Sequence, residues 1–176
     1  FTVNNNVIDG GNLGFSSNGI SGATGPGSDG ATATPIMTIT ATGNNVTNTN
    51  GSAIMLVARA AAGTLRATVQ NNTAQVAGAG AGSGIRIEAG NGSSTGDKVC
   101  LTIANNTASG SGGSTGIGLR LHPTGSPPNL FQITGLTPSP ASAAQTVTYV
   151  DGQNATGGGT AIVNSPAGTP FSACAS

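Results

Sequence analysis

Two neighbouring segments of the chain repeat one another. Residues 65–90 read LRATVQNNTAQVAGAGAGSGIRIEAG, and residues 98–123 read KVCLTIANNTASGSGGSTGIGLRLHP. In each segment an alternating strand ends at Asn-Asn-Thr, and a second strand opens on Gly-Ile. Looser copies place isoleucines at positions 20, 54, 85 and 117, so the successive spacings are 34, 31 and 32 residues. A period of this length predicts stacked structural repeats joined by loops of variable length.

The local sequence favours strands over helices. The chain contains 30 glycines and 9 prolines, the two residues least compatible with the interior of a helix. Apolar residues recur at every second position, as in Leu65, Ala67 and Val69, which is the period of a strand with one buried face. We therefore predict an all-β protein, a right-handed parallel β-helix of about four to five coils over residues 1–133. Residues 134–176 depart from the repeat and are predicted to form an irregular C-terminal cap.

The alternation also predicts which side chains stack on one another from coil to coil. Ile54, Ile85 and Ile117 should form one inward column. On the outer face Glu88 should lie beside Arg120 of the next coil, at the spacing of about 4.8 Å that separates paired strands. An exposed pair of this kind contributes about 0–1 kcal/mol, so it indicates the register more than it stabilises the fold.

The Asn-Asn pairs mark the points where strands end and the chain must turn. Asparagine tolerates left-handed backbone angles and bonds to its own nearby backbone. Stacked over successive coils, asparagine side chains can also hydrogen-bond to each other as an amide ladder. The sequence leaves both interpretations open, a ladder or simply favourable turn residues.

Composition limits the partners and the compartment. Charged residues make up 6% of the chain and the formal net charge is zero, so no basic patch points to nucleic acid. No apolar run is long enough to predict a transmembrane helix or membrane insertion. A disulfide between Cys100 and Cys174 would fasten the cap to the side of the solenoid, contributing roughly 4 kcal/mol through loop entropy. Such a bond implies an oxidising compartment, outside the cell or at its surface.

The repeated units resemble the coils of a broad group of bacterial proteins. TVQNNT…GIRIEAG and KVCLTIANNT…GIGLRLHP are similar to the coils of large secreted and surface proteins with β-strand repeats or a right-handed parallel β-helix. The final segment, from Phe131-Gln132-Ile133 through Asn154 to the late cysteine, resembles the C-terminal tails of such proteins. The resemblance implies the fold and a structural or adhesive role, and pectate-lyase-like enzymes belong to the same fold group.

One set of polar residues is predicted to cluster on the outside of the solenoid, and it consists of Arg86, Glu88, Arg120 and His122. The cluster is a candidate ligand-binding or catalytic site, although an ordinary solvated surface would have the same pattern. Glycoside hydrolysis requires two carboxyl groups within about 10 Å, whereas the acidic residues here fall in separate segments. The sequence therefore predicts no catalytic residue, no cofactor and no metal site.

Two further patterns involve polar residues of loops and outer faces. Three asparagines in predicted loops begin Asn-x-Ser/Thr motifs and are candidate glycosylation sites: Asn50, Asn91 and Asn154. One outward column of threonines is also predicted: Thr2, Thr40, Thr68 and Thr102. A single column is narrower than the flat threonine array that ice binding would use, and threonine is common in strands.

These observations favour an extracellular structural module. It would be a cell-surface protein, part of a stalk or a filament-forming solenoid, and adhesion is a further candidate role. The sequence begins within a repeat at Phe1, so we expect its first coil to pack on a preceding β-helix domain or on another copy, head to tail. Surface glycans are the other candidate partner. The alternative is a polysaccharide-active β-helix enzyme, a lyase or hydrolase.

Overall fold

The computed structural model describes residues 1–11, 18–25, 34–59, 62–77, 82–90, 94–111, 116–122, 126–156, 162–164 and 171–174. In chain order the elements are β1 (Thr2–Asn4), β2 (Val7–Asp9), β3 (Ile20–Thr24), β4 (Ile36–Thr42), β5 (Asn45–Thr49), β6 (Ile54–Ala58), β7 (Thr64–Gln70), β8 (Thr73–Val76), β9 (Ile85–Ala89), β10 (Lys98–Ala104), β11 (Thr107–Ser109), β12 (Ile117–Leu121), β13 (Leu130–Ile133), α1 (Ala143–Gln153), β14 (Ala155–Thr156), β15 (Ile162–Asn164) and β16 (Ser172–Ala173).

The strands form three sheets in which every third strand of the sequence is a neighbour. Sheet 1 has the order β1-β4-β7-β10-β13-β16, sheet 2 has β14-β11-β8-β5-β2, and sheet 3 has β15-β12-β9-β6-β3. All pairings between these strands are parallel. The chain therefore visits the three sheets in turn and advances by one strand spacing, about 4.8 Å, with each circuit. The prediction of an all-β protein built from stacked parallel coils is confirmed.

The predicted inward column of isoleucines is also confirmed. Ile20 pairs with Ile54, Ile54 with Ile85, and Ile85 with Ile117. The last three of these side chains are fully buried, at 0% exposure. These aliphatic side chains stack on one another at the strand spacing, as close packing in a protein interior requires.

The corner between sheets 1 and 2 requires a left-handed backbone. Asn5, Asn71 and Asn105 have φ angles of 56°, 56° and 58°, and the corresponding corner of the second coil has Gly43 at 68°. Asparagine and glycine are the residues that adopt this conformation at least cost. The first residue of each Asn-Asn pair therefore makes the turn, as predicted.

The residues that follow this corner stack into a continuous amide ladder, which consists of Asn6, Asn44, Asn72, Asn106 and Asn154. Only Asn6, Asn72 and Asn106 are second residues of an Asn-Asn pair, since Asn44 follows Gly43. Each Nδ2 donates to the Oδ1 of the next residue, at 3.0, 2.9, 2.9 and 2.8 Å in that order. The backbone N–H groups of the first four residues donate to the same oxygens. Because buried polar groups are costly unless they are paired, the ladder holds neighbouring coils in one register. The ladder interpretation is confirmed.

Residues 134–176, predicted to form an irregular cap, contain three short strands and a helix. β14 pairs with β11, β15 with β12 and β16 with β13, so all three sheets gain a further strand. The last amide of the ladder, Asn154, comes from this segment rather than from an Asn-Asn pair. The repeat therefore continues here, but its strands have only two or three residues. Strands this short are too brief to show the alternation of apolar and polar residues.

Helix α1 was not expected, and it lies between β13 and β14. Its start is a capping box: Gln145 N–H donates to Ser142 Oγ at 3.3 Å, and Ser142 N–H donates to Gln145 Oε1 at 2.9 Å. The sequence from Ala141 to Val150 contains neither glycine nor asparagine. This run with its Ser-x-x-Gln start is the local signal for a helix, which the glycine content of the whole chain obscured.

The helix and the segments beside it cover the C-terminal end of the core. Val150 of α1 is fully buried, and the hydroxyl of Tyr149 donates to the carbonyl oxygen of Thr134 at 2.8 Å. The rings of Phe131 and Phe171 lie 5.1 Å apart between their centroids, and both are buried. Large aromatic side chains thus close an end that small aliphatic residues would leave open.

Within the described residues, the first coil ends the three sheets on one side, as β14, β15 and β16 end them on the other. Strands β1, β2 and β3 each have one strand neighbour, and Phe1 and Val7 are 85% and 80% exposed. Edge strands with exposed apolar side chains readily pair with further strands.

Candidate functional site

The cluster of Arg86, Glu88, Arg120 and His122 forms as predicted from the stacking of two coils. Arg86 and Glu88 are outward residues of β9, Arg120 is an outward residue of β12, and His122 directly follows β12. Glu88 and Arg120 are register partners, so the predicted contact between neighbouring coils is present. The carbonyl oxygen of His122 accepts a hydrogen bond from Nδ2 of Asn129 at 3.1 Å.

Glu88 is the centre of the cluster. The guanidinium of Arg86 forms the closest ion pair with Glu88 Oε1, and its Nε donates to that oxygen at 2.6 Å. Arg120 Nη1 lies 4.0 Å from the same oxygen, and His122 Nε2 lies 3.6 Å from Glu88 Oε2. The sequence predicts Arg120 as the neighbour of Glu88, but Arg86, two residues away on the same strand, is the closer partner.

The side chain of Glu88 is buried, although the alternation of the strand places it on the outer face. Its side chain is 8% exposed, against 33% for Arg86, 45% for Arg120 and 12% for His122. The three partners and the neighbouring Val57, its register partner in the preceding coil, surround the carboxylate. A carboxylate this deeply buried must be paired to offset its loss of hydration, which the two guanidinium groups provide.

The chemistry open to this cluster follows from its composition. It supplies one carboxylate, whose Oε1 faces both arginines and whose Oε2 faces the histidine. Glycoside hydrolysis uses a second carboxyl group about 5–10 Å from the first, and no other carboxylate takes part in the ion pairs of the described residues. In its present geometry the cluster joins two coils through a buried carboxylate whose arginine partners remain partly exposed to water.

The predicted disulfide is present. Cys100 of β10 is bonded to Cys174, which directly follows β16, and the two Cα atoms are 5.6 Å apart. The bond fixes β16 alongside β13 at the end of sheet 1. It closes a loop with a sequence separation of 74 residues, so reduction should destabilise the C-terminal end more than the middle of the solenoid.

The candidate glycosylation sites have different surroundings. Asn50 is half-buried in the turn between β5 and β6, and Asn91 lies outside the described residues. Asn154 is the last residue of the amide ladder: its Oδ1 accepts from Asn106, and its Nδ2 donates to the carbonyl oxygen of Val150 at 2.8 Å. A glycan on that nitrogen would disrupt these contacts, so the geometry argues against Asn154 as an acceptor.

Sequence reasoning missed a second group of polar side chains, on the outer face of sheet 1. A groove there is lined by residues that include Arg66 and Lys98. The sequence predicts that Arg66 points outward, but a groove depends on how side chains from several coils fit together. The predicted outward threonine column runs along the same face, where Thr2, Thr40, Thr68 and Thr102 are successive register partners.

Comparison with known proteins adds no relatives. No protein-family model matches the chain, and neither curated protein sequences nor solved structures gave a significant match. Among the described residues, no helix has the length and apolar character needed to span a bilayer.

Proposed function

We propose that the protein is an extracellular structural module, a β-solenoid that serves as part of a surface stalk or filament. The observation that carries the proposal is the continuous amide ladder, supported by the in-register isoleucine column. Both are repeated features that hold coil on coil, and neither creates a cavity for a small ligand. A solenoid of this kind is a stiff rod because each coil contacts only its neighbours along one axis.

The disulfide supports the extracellular part of the proposal. Bonds such as Cys100–Cys174 persist in oxidising compartments and are rare where cellular thiols keep cysteines reduced. The low content of charged residues, 6%, agrees with the composition expected of surface proteins.

We further propose that the coils wind as a right-handed β-helix. Crossovers between parallel strands of one sheet are right-handed in about 98% of known examples. The open edges of β1, β2 and β3 would then pair with a neighbouring β-layer of the same hand, contributed by preceding coils or by another subunit.

Head-to-tail assembly through the first coil is the part of the proposal that is easiest to test. Analytical ultracentrifugation over a range of concentrations, followed by electron microscopy, should show species that grow along one axis. The variant Val7→Lys places a charge on the exposed edge of β2 and should suppress that growth, since edge charges block strand pairing. The matched control Thr107→Lys changes an exposed residue of β11, an inner strand of sheet 2, and should leave assembly unchanged.

Strictly monomeric protein at every concentration would contradict head-to-tail assembly. Closed dimers without fibres would also contradict it, and would show that two first coils meet each other. Head-to-tail growth requires the edges of β14, β15 and β16, which end the three sheets on the C-terminal side, to pair with the first coil of the next copy.

A further inference from the structure

The groove on the outer face of sheet 1 has a volume of about 660 Å³. Four coils contribute to it through β4, β7, β10 and β13. The side chains that matter for recognition are two cations and four hydroxyls: Arg66, Lys98, Thr38, Thr64, Thr68 and Thr102. All of these strands are paired on both sides within sheet 1, so the backbone that carries the groups is held in place before any ligand arrives.

The groove is positively charged, although the chain as a whole is neutral. Arg66 and Lys98 are exposed, and no carboxylate contributes to the lining. Within the described part of the chain the ion pairs all converge on Glu88 in sheet 3, so neither cation of the groove has a carboxylate within 4.0 Å. Asp97, which precedes Lys98, is buried, and its Oδ1 accepts a hydrogen bond from Gly63 N–H at 2.8 Å.

The two cations stand close enough to act on one ligand. Lys98 is the register partner of Thr64, two residues before Arg66 on the neighbouring strand. One strand spacing and two residues along the strand place their Cα atoms about 8 Å apart. A ligand that carries repeated anionic groups would engage both cations at once, and the planar fork of an arginine binds a carboxylate or a sulfate through two parallel hydrogen bonds.

The remaining lining is rich in hydroxyl groups. Thr68 and Thr102 are register partners, and Thr102 Oγ1 lies 2.9 Å from Thr134 Oγ1 in the next coil. The lining contains no aromatic side chain, whereas single-stranded nucleic acids are bound largely by stacking of bases on aromatic rings. Hydroxyls together with cations fit a polymer that carries both hydroxyls and anionic groups.

We infer that this groove binds a linear acidic polysaccharide, with Arg66 and Lys98 pairing with its anionic groups and the threonine hydroxyls bonding to its sugar hydroxyls. The ligand would extend along the axis of the solenoid, across successive coils. The inference goes beyond the proposed structural role, because a structural rod does not need to bind an acidic polysaccharide. It also concerns a different face from the cluster around Glu88.

The test compares four probes, namely oligomannuronate, dextran sulfate, neutral dextran and oligothymidylate, by calorimetry and by NMR titration of the backbone amides at low ionic strength. We expect the two acidic probes to bind, with shifts at β7 and β10, and neutral dextran not to bind. R66Q and K98Q should each weaken binding about 5-fold, the effect of one exposed ion pair. R59Q removes an exposed arginine outside the groove and should change affinity less than about 2-fold by the same reasoning.

Binding of only one acidic probe would support the inference and distinguish a carboxylated from a sulfated polysaccharide. Absence of binding to both acidic probes at low salt would overturn it. Equal losses in R66Q and R59Q would also overturn it, because they would indicate a diffuse attraction rather than a site. Tighter binding of oligothymidylate than of either acidic polysaccharide would overturn the ligand class. Unchanged circular dichroism and melting temperature in the three variants confirm that all of them are folded.

Discussion

Replacement of one buried asparagine in the middle of the ladder should destabilise the protein more than replacement of an exposed polar residue of the solenoid. Asn72 is 2% exposed. Its Oδ1 accepts from the N–H and the Nδ2 of Asn44, and its Nδ2 donates to Ala41 O and to Asn106 Oδ1, each at 2.9 Å. Asn72→Ala removes these four bonds and leaves the N–H of Asn44 buried without its acceptor.

The magnitude follows from the bonds that are lost. A buried hydrogen bond contributes about 1 kcal/mol, and a buried donor left unpaired costs about 1–3 kcal/mol. Asn106 Oδ1 keeps one donor, the backbone N–H of residue 72, which reduces the loss. We therefore expect Asn72→Ala to lower the free energy of unfolding by about 3–4 kcal/mol.

The ladder supplies its own control at the first coil. Asn6 is exposed, and its Nδ2 donates to Asn44 Oδ1 and to Asn4 O. Because Asn44 Oδ1 keeps the backbone N–H of residue 6 as a donor and Asn4 is exposed to water, Asn6→Ala should cost less than about 1 kcal/mol. A second control, Asn71→Gly, keeps the left-handed corner with φ of 56° and should be nearly neutral.

Urea unfolding followed by far-ultraviolet circular dichroism measures these differences, since the chain contains no tryptophan to serve as a fluorescence probe. The reasoning would be refuted if Asn72→Ala and Asn6→Ala shifted the midpoint equally. It would also be refuted if Asn72→Ala cost less than about 1 kcal/mol, because the amides would then contribute no more than ordinary surface residues.

Three further predictions concern other contacts. Cys174→Ser should lower the melting temperature and reduce the free energy of unfolding by up to about 4 kcal/mol. Amide hydrogen exchange should rise first in β16 and β13, and an equal rise in all strands would contradict the role of the disulfide at the C-terminal end. Glu88→Gln should cost about 1–3 kcal/mol because it weakens the charge-assisted hydrogen bond from Arg86, and an unchanged midpoint in urea unfolding would contradict this expectation. The pKa of Asp9 is lowered because Gly11 N–H and Asn48 donate to its carboxylate. The stabilisation is therefore present above the unfolded pKa and lost as pH falls through the lower folded pKa. Asp9→Asn should flatten this acid dependence in melting curves, and an unchanged profile would count against it.

The sequence predicts the middle of the solenoid well because each of its coils repeats the same physical solution. Ile54, Ile85 and Ile117 occupy equivalent positions, and the alternation of side chains fixes which face they share. The left-handed corner at Asn71 and Asn105 follows from the residue type alone. A pattern that occurs several times at one period identifies its register without any knowledge of distant contacts.

The rest could not be predicted, because it depends on contacts that are made once. Strands β14 and β16 have two residues each, too few for alternation to be recognised. Helix α1 depends on a single capping box, and the burial of Glu88 depends on the side chains of three partners. The groove of sheet 1 is a property of four stacked coils, and no one segment of sequence encodes it.

The claim on which all of this depends is that successive coils stack in register along one axis. A methyl NOESY spectrum of isoleucine-labelled protein tests it directly. It should contain strong cross-peaks between Ile54 and Ile85 and between Ile85 and Ile117, which are register partners about 4.8 Å apart. The cross-peak between Ile54 and Ile117 should be weak or missing, because two strand spacings separate them by about 9.6 Å. Strong cross-peaks between Ile54 and Ile117, or none from Ile85 to either, would contradict the account.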